Sequence, residues 1–347
     1  MLIDLYLSII LSFVVLYLYL NFFGNYYHYY IHKIHMRTKK IYSSITEIIG
    51  NTPIVRLKKL EEKYNIKTQL YGKLEYLNPF GSANDRVAEA LVEDAWKRNK
   101  YNKDTIIVEV SYGNIGVSIA AVTARKGLKC LIVVHEGVSE DETNMLDLLG
   151  AKIVFVSKGI EEAIKTAKEF TNQVKHAVMT CQFENKANVK IHKKTTAKEI
   201  TRSMNNIDYF VCGVGTGGTI TGVGEVLKKK KGSNTSIVAV EPWKASVLSG
   251  KQVRSHGIHG MGVGFLPKIL NIKVIDYVFR VKDYEAVEYA RVMANTEGMA
   301  VGLSSGAAIC AGIKLGEVVN NPMKKILIMV PSSAGRYISS GLFDNKI

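Results

Sequence analysis

Short apolar runs alternate with longer stretches in which apolar side chains recur at helical spacing through most of this 347-residue chain. The apolar runs fall at residues 105–110, 130–134, 152–156, 210–212, 236–240 and 326–330. Runs of this kind, bounded by turn residues, read as strands covered on both faces. With amphipathic helical stretches between them, the pattern predicts an α/β fold with mostly parallel sheets. The chain has no internal repeats, and its length allows a well-buried core divided between two lobes.

The first forty residues follow another pattern. Residues 5–23 carry no charged side chain, and an uncharged apolar run of that length can cross a bilayer as a helix. Tyr26, Tyr27, Tyr29 and Tyr30 come next, then Lys33, Arg37, Lys39 and Lys40, with Asp4 alone on the other side. Aromatic residues suit a membrane interface and basic ones its cytosolic side. The expectation is a single-pass membrane anchor over residues 1–42, a helix plus a basic juxtamembrane segment, with the globular part facing the cytosol. A cleavable signal peptide is the rival reading, but no basic side chain precedes the run and no small-x-small site follows it.

The formal net charge of +15 raises the question of a nucleic-acid partner. The lysines are scattered apart from residues 228–231, and no nucleic-acid module or aromatic interleaving accompanies them. A lysine-rich solvated surface is the reading, with no nucleic-acid partner. Cys130, Cys181, Cys212 and Cys310 lie in or beside apolar runs without metal-ligand spacing. They read as reduced, mostly buried thiols, and no metal site is expected.

The run at 210–212 leads into Gly213-Val214-Gly215-Thr216-Gly217-Gly218-Thr219. Glycines let backbone N–H groups approach a phosphate closely, threonine hydroxyls add donors, and a following helix points its positive end at the anion. A glycine-rich turn alone serves about as often as structural punctuation, so its neighbours decide the reading.

Those neighbours form an ordered set. Ile49-Gly50-Asn51-Thr52-Pro53 opens it and Asn78-Pro79-Phe80-Gly81-Ser82-Ala83-Asn84-Asp85-Arg86 follows. Gln182-Phe183-Glu184-Asn185, Gly260-Met261-Gly262-Val263-Gly264-Phe265, Gly302-Leu303-Ser304-Ser305-Gly306 and Arg336-Tyr337-Ile338-Ser339 complete it. In this order the segments resemble the cysteine synthase (O-acetylserine sulfhydrylase) and cystathionine β-synthase family from about residue 49 to 343. The resemblance implies the two-lobed, tryptophan-synthase-β-like fold type II of pyridoxal-phosphate enzymes over residues 43–347. The smaller lobe would span about 77–187, and the larger lobe 43–76 plus 188–347.

The resemblance also implies site residues. Gly215, Thr216, Gly217, Gly218 and Thr219 match the phosphate cup of pyridoxal phosphate. Ser304 matches the serine facing the pyridine nitrogen, and Asn114 the asparagine at the ring 3′-oxygen. Ser111, Tyr112, Gly113, Asn114 and Ile115 occupy the loop that grips the substrate carboxylate, with Gln182 beside it. In that loop a tyrosine and an isoleucine stand where the family carries hydroxyls. The largest departure is Asn84, which takes the place of the Schiff-base lysine. A carboxamide nitrogen shares its lone pair with the carbonyl, so it neither condenses with an aldehyde nor shuttles protons as an amine does.

These departures lead to the expectation of a membrane-anchored, catalytically degenerate relative that keeps a ligand cleft, with pyridoxal phosphate held non-covalently or lost. The alternative is a working cysteine synthase making L-cysteine from O-acetylserine and sulfide, or a related β-replacement enzyme. Partners implied by the resemblance are a second copy of the chain and the C-terminal tail of another protein.

Overall fold

The computed structural model describes residues 41–339 apart from 100, 101, 112, 231 and 233, together with Tyr19. Residues 44–347 cluster as one compact unit. Within it the described strands form two sheets. The six-stranded sheet has the order β1-β2-β10-β7-β8-β9, and the four-stranded sheet β5-β4-β3-β6. In the larger sheet the strands are β1 Ile54–Arg56, β2 Gln69–Leu74, β7 Tyr209–Gly213, β8 Ser236–Pro242, β9 Tyr277–Val281 and β10 Lys325–Val330. The smaller holds β3 Ile106–Ser111, β4 Lys129–His135, β5 Lys152–Val156 and β6 Ala177–Met179. All pairings are parallel except β1 with β2. Every strand-like run of the sequence is a strand here. The other four gave no such signal: polar or charged residues interrupt β2 and β9, and β1 and β6 are only three residues long.

Ten helices cover the sheets among the described residues: α1 Lys58–Lys63, α2 Asn84–Asn99, α3 Asn114–Lys126, α4 Glu140–Leu148, α5 Ile160–Gln173, α6 Ala187–Lys194, α7 Thr196–Ser203, α8 Gly218–Lys229, α9 Asp283–Glu297 and α10 Leu303–Val319. Helix α10 is buried over nearly its whole length. It lies close because its packing positions are glycine: a Cβ at Gly312 would stand 2.3 Å from Ile328 Cδ1, and one at Gly306 would stand 2.1 Å from the Ala286 carbonyl. The four cysteines are free thiols, with Cys130, Cys212 and Cys310 buried.

Beneath the turn that leads to Asn84 lies a buried set of charges. Arg86 donates to both oxygens of Glu75, at 2.7 and 2.9 Å, and to both of Glu199, each at 2.7 Å. Lys73 Nζ donates to Glu199 Oε2 and to the Thr52 carbonyl, each at 2.6 Å. Two cations and two anions make the set neutral, and the arginine and lysine are fully buried. Burial would raise the Glu199 carboxyl, but hydrogen bonds from Arg86 and Lys73 outweigh it and hold the pKa at about 2. Glu75 is likewise held low by Arg86 against its burial.

The expected membrane localisation is corrected here. Among the described residues no helix is long and apolar enough to cross a membrane. The run at 5–23 lies outside the described residues, Tyr19 apart. Uncharged length was the expectation's main physical support, and length alone sets what a segment could span.

Removing one partner from the buried charge set should be costly, since the remaining charges stay buried without compensation. Glu199→Gln is expected to lower stability by about 3–5 kcal/mol, measurable by urea unfolding. Because the Glu199 pKa is depressed on folding, its contribution is present above the unfolded value and lost as pH falls through about 2. Acid unfolding curves should show this loss in the wild type and a flatter profile in the variant.

Candidate active site

A cavity of about 740 Å³ opens between strand ends and loops, and Asn84, Ser111, Gly113, Asn114, Ile115, Gln182, Ser304 and residues 215–219 all line it. The sequence-predicted residues are therefore brought to one place, with Tyr112 outside the described residues.

The cup forms where β7 ends and α8 begins. Gly217 caps the helix at φ +80°, in the left-handed region, and offers no side chain to its N–H groups. A Cβ at Gly215 would stand 2.4 Å from the Gly260 carbonyl, and one at Gly218 would stand 1.9 Å from Asn188 Oδ1. A helix start at which the Gly218 N–H has only a 3.3 Å contact to the Thr216 hydroxyl, and at which the glycines admit no side chain, fits a phosphate group. The threonines are held from behind. Asn188 Nδ2 donates to Thr216 Oγ1 at 3.1 Å, and Thr219 Oγ1 lies 3.2 Å from His192 Nε2. Burial, then the nearby Arg86 charge, pulls His192 down to about 4, so the imidazole is neutral at ordinary pH.

Asn84 begins α2 at half-buried depth. The turn before it is pinned by Asp85, which accepts from the Phe80 N–H at 2.7 Å and the Ser118 hydroxyl at 2.7 Å. Ser82 Oγ accepts the Asn84 N–H at 3.2 Å. Among the described residues no amine lies at this turn. Lys73 is committed to Glu199 and Thr52 and does not line the cavity. Lys158, the lysine among the described lining residues, is exposed.

The remaining predicted groups have partners of their own. Ser304 Oγ lies 2.9 Å from Ser332 Oγ. Asn114 Oδ1 accepts from Arg336 Nη1. Gln182 Nε2 donates to the Val110 carbonyl at 2.7 Å, while its backbone N–H donates to Glu109 Oε2 at 3.1 Å. Ser111 Oγ meets Glu142 Oε1 at 2.9 Å. Sequence reasoning missed Glu142, Glu109 and the role of Arg336. The spacing Ser139-x-x-Glu142 is itself a helix-start signal, so Glu142 reads along the chain as a cap residue and gives no hint of a cleft.

Burial pushes Asp85 to about 6 and Glu142 to about 7, and it raises Glu109 as well. Arg336 is the cation facing Asp85 and Glu142, and burial lowers its own pKa.

Fold and cup together define a pyridoxal-phosphate protein, and comparison with known proteins agrees. Residues 45–332 match the family described as pyridoxal-phosphate dependent enzyme, and the chain belongs to that family. It is similar to cysteine synthase B of Campylobacter jejuni, at 41% identity over 307 residues, covering 88% of this chain and 99% of the relative. Against a cysteine synthase of Staphylococcus aureus the identity is 39% over 310 residues, covering 88% and 98%. The solved cysteine synthase of Entamoeba histolytica superposes with a TM-score of 0.83 at 36% identity, covering 89% of this chain and 93% of the other. Pyridoxal phosphate is the cofactor that membership implies. Relatives named as synthases count against the expectation of a protein without enzymatic activity.

The cup geometry makes a direct prediction. Gly215→Ala places a methyl group against a backbone carbonyl and should weaken pyridoxal phosphate binding at least about tenfold, or ~1.4 kcal/mol. An absorbance titration checks this, with circular dichroism to confirm that the variant is folded.

Proposed function

We propose that this chain is a cysteine synthase that holds pyridoxal phosphate without a covalent link. It would form L-cysteine from O-acetylserine and sulfide at a rate limited by Asn84. The observation that carries this reading is the convergence of the glycine cup, Ser304, Asn114 and Gln182 on one cavity, in a chain 41% identical to a protein named cysteine synthase B.

In this reading the α8 N-terminus and the glycines bind the phosphate, and the Ser304 hydroxyl faces the ring nitrogen as a neutral partner. Asn114, held in place by Arg336, would orient the ring edge. The 111–115 loop and Gln182 receive the amino acid's carboxylate. Pyridoxal phosphate, when bound, supplies an electron sink for the bond-breaking next to the amino-acid nitrogen. Asn84, which lines the cavity, would contact the cofactor but move no proton. Pairing into a homodimer and capture of a partner's C-terminal tail belong to the same reading, on the family resemblance.

Asn84 favours a second reading, in which the cleft binds its ligands and performs no turnover. One experiment separates the two. Restoring the amine with Asn84→Lys should raise sulfide-dependent cysteine formation by about 10²–10⁴-fold, the usual contribution of a positioned acid–base group. Measurable wild-type turnover well below the variant's supports the proposal, and none at all supports the binding reading. Borohydride followed by peptide mass mapping should find no cofactor-mass adduct on any wild-type lysine and one at position 84 in the variant. An adduct on a native lysine would show that another amine reaches the cofactor.

A further inference from the structure

Glu142 is 6% exposed and lines the cleft beside Ser111, Gly113 and Asn114. It occupies the first turn of α4, three residues after the N-cap Ser139, whose hydroxyl accepts the Glu142 N–H. Its carboxyl reaches across the cleft wall to Ser111.

The hydrogen count at Ser111 shows how the carboxyl stands. The Ser111 oxygen accepts N–H groups from Gly113 at 3.3 Å and Gly116 at 3.1 Å. Its single hydrogen faces two acceptors, the Gly113 carbonyl at 2.7 Å and Glu142 Oε1 at 2.9 Å. One hydroxyl hydrogen cannot serve both. A proton on Glu142 resolves the conflict: the hydroxyl donates to the nearer carbonyl, and the carboxylic acid donates to the hydroxyl oxygen in place of the longer Gly113 N–H contact.

We infer that Glu142 is a specificity-determining residue of this cleft, standing as a neutral carboxylic acid against Ser111, so that a ligand carboxylate is accepted there only while Glu142 keeps its proton. The inference rests on the reading that the 111–115 loop receives an amino-acid carboxylate. Two carboxylates sharing one hydroxyl and one buried loop would repel each other, whereas a carboxylic acid and a carboxylate coexist.

The charged surroundings are consistent with this. Arg336, which faces Glu142 from the C-terminal turn, favours ionisation but also faces Asp85 at the start of α2. Tyr337 stands in the same turn. On its own helix are Glu140, Asp141 and Asp147, with Asp141 accepting from Ser339 at 2.9 Å. Helix α3 brings Arg125 and Lys126 only at its far end, β5 brings Lys152 at its start, and His135 of β4 lines the same cleft. Burial outweighs the opposing hydrogen bond from Ser111, the Arg336 charge and a hydrogen bond from the Gly113 N–H, placing the Glu142 pKa at about 7.

The test is calorimetric titration of the full chain, loaded with pyridoxal phosphate, with L-serine across neutral pH, in the wild type and in Glu142→Gln. The ratio of the two dissociation constants cancels the titration of the serine amine. We expect wild-type binding to weaken relative to the variant by about tenfold per pH unit above the Glu142 pKa, with no trend below it. Binding by both proteins with a constant ratio overturns the inference and leaves the cleft reading intact. Binding by neither protein at any pH overturns both. Infrared spectra with ¹³C-labelled glutamate of both proteins give a second readout. Subtracting the Glu142→Gln spectrum removes the band of Glu109, whose pKa burial also raises; the remaining carboxylic-acid band should be lost as pH rises through about 7, and its absence also overturns the inference.

Discussion

The neutral cluster of Arg86, Glu75, Glu199 and Lys73 is the constraint on which the site depends. Arg86 lies two residues after Asn84 on α2, Lys73 and Glu75 lie on and just after β2, and Glu199 comes from α7. The cluster therefore ties the helix that begins at Asn84 to a strand of the larger sheet and to the helices packed beside the cup. A buried ion set is weak evidence for stability in itself, because desolvation offsets much of the attraction. What it provides here is position. Each oxygen of Glu75 and Glu199 has a specific donor, so α2 has little freedom to slide, and Asp85 pins the same turn from the opposite side through Phe80 and Ser118.

The buried carboxyls of this protein sort into two groups by the cations that face them. Glu75 and Glu199 meet paired cations and are held low. Asp85 and Glu142 share one guanidinium and Glu109 meets only neutral donors, so burial raises all three. The first group forms the support of the site; of the second, Glu142 lines the cavity, while Asp85 and Glu109 hold the backbone of residues around it. The cavity consequently combines an electropositive end, built from backbone at the α8 N-terminus, with the buried Glu142 carboxyl beside Ser111.

The glycine cup and its closeness to Gly260 and Asn188 show why the anion-binding part is the hardest to alter. Its donors are main-chain N–H groups, and its glycines sit where a Cβ would meet other atoms. Asn84 differs in kind, since a half-buried side chain at a helix start can change without moving the backbone around it. The cup and the turn are thus independent in packing even though both line one cavity.

How much the sequence determined on its own follows from this distinction. Apolar runs specified six of the strands and the parallel α/β class, because buried parallel strands have no polar face to interrupt them. The glycine-rich turn carried its own chemistry, whereas Ser304, Asn114, Gln182 and Asn84 were assigned to one site by the family resemblance of the ordered segments, and the cavity brings them together. The apolar run at 5–23 showed the limit of such reasoning, since length without a described helix did not support a span. Only the tertiary structure decided which side chains already had partners. Glu142 reads as a helix-start residue along the chain, and Arg336 as part of a terminal motif. Folding brings the first across 31 residues to Ser111 and the second across 222 to Asn114. Contacts over such separations leave no periodic trace, and burial, which decides whether a carboxyl keeps its proton, exists only once the chain has packed around it.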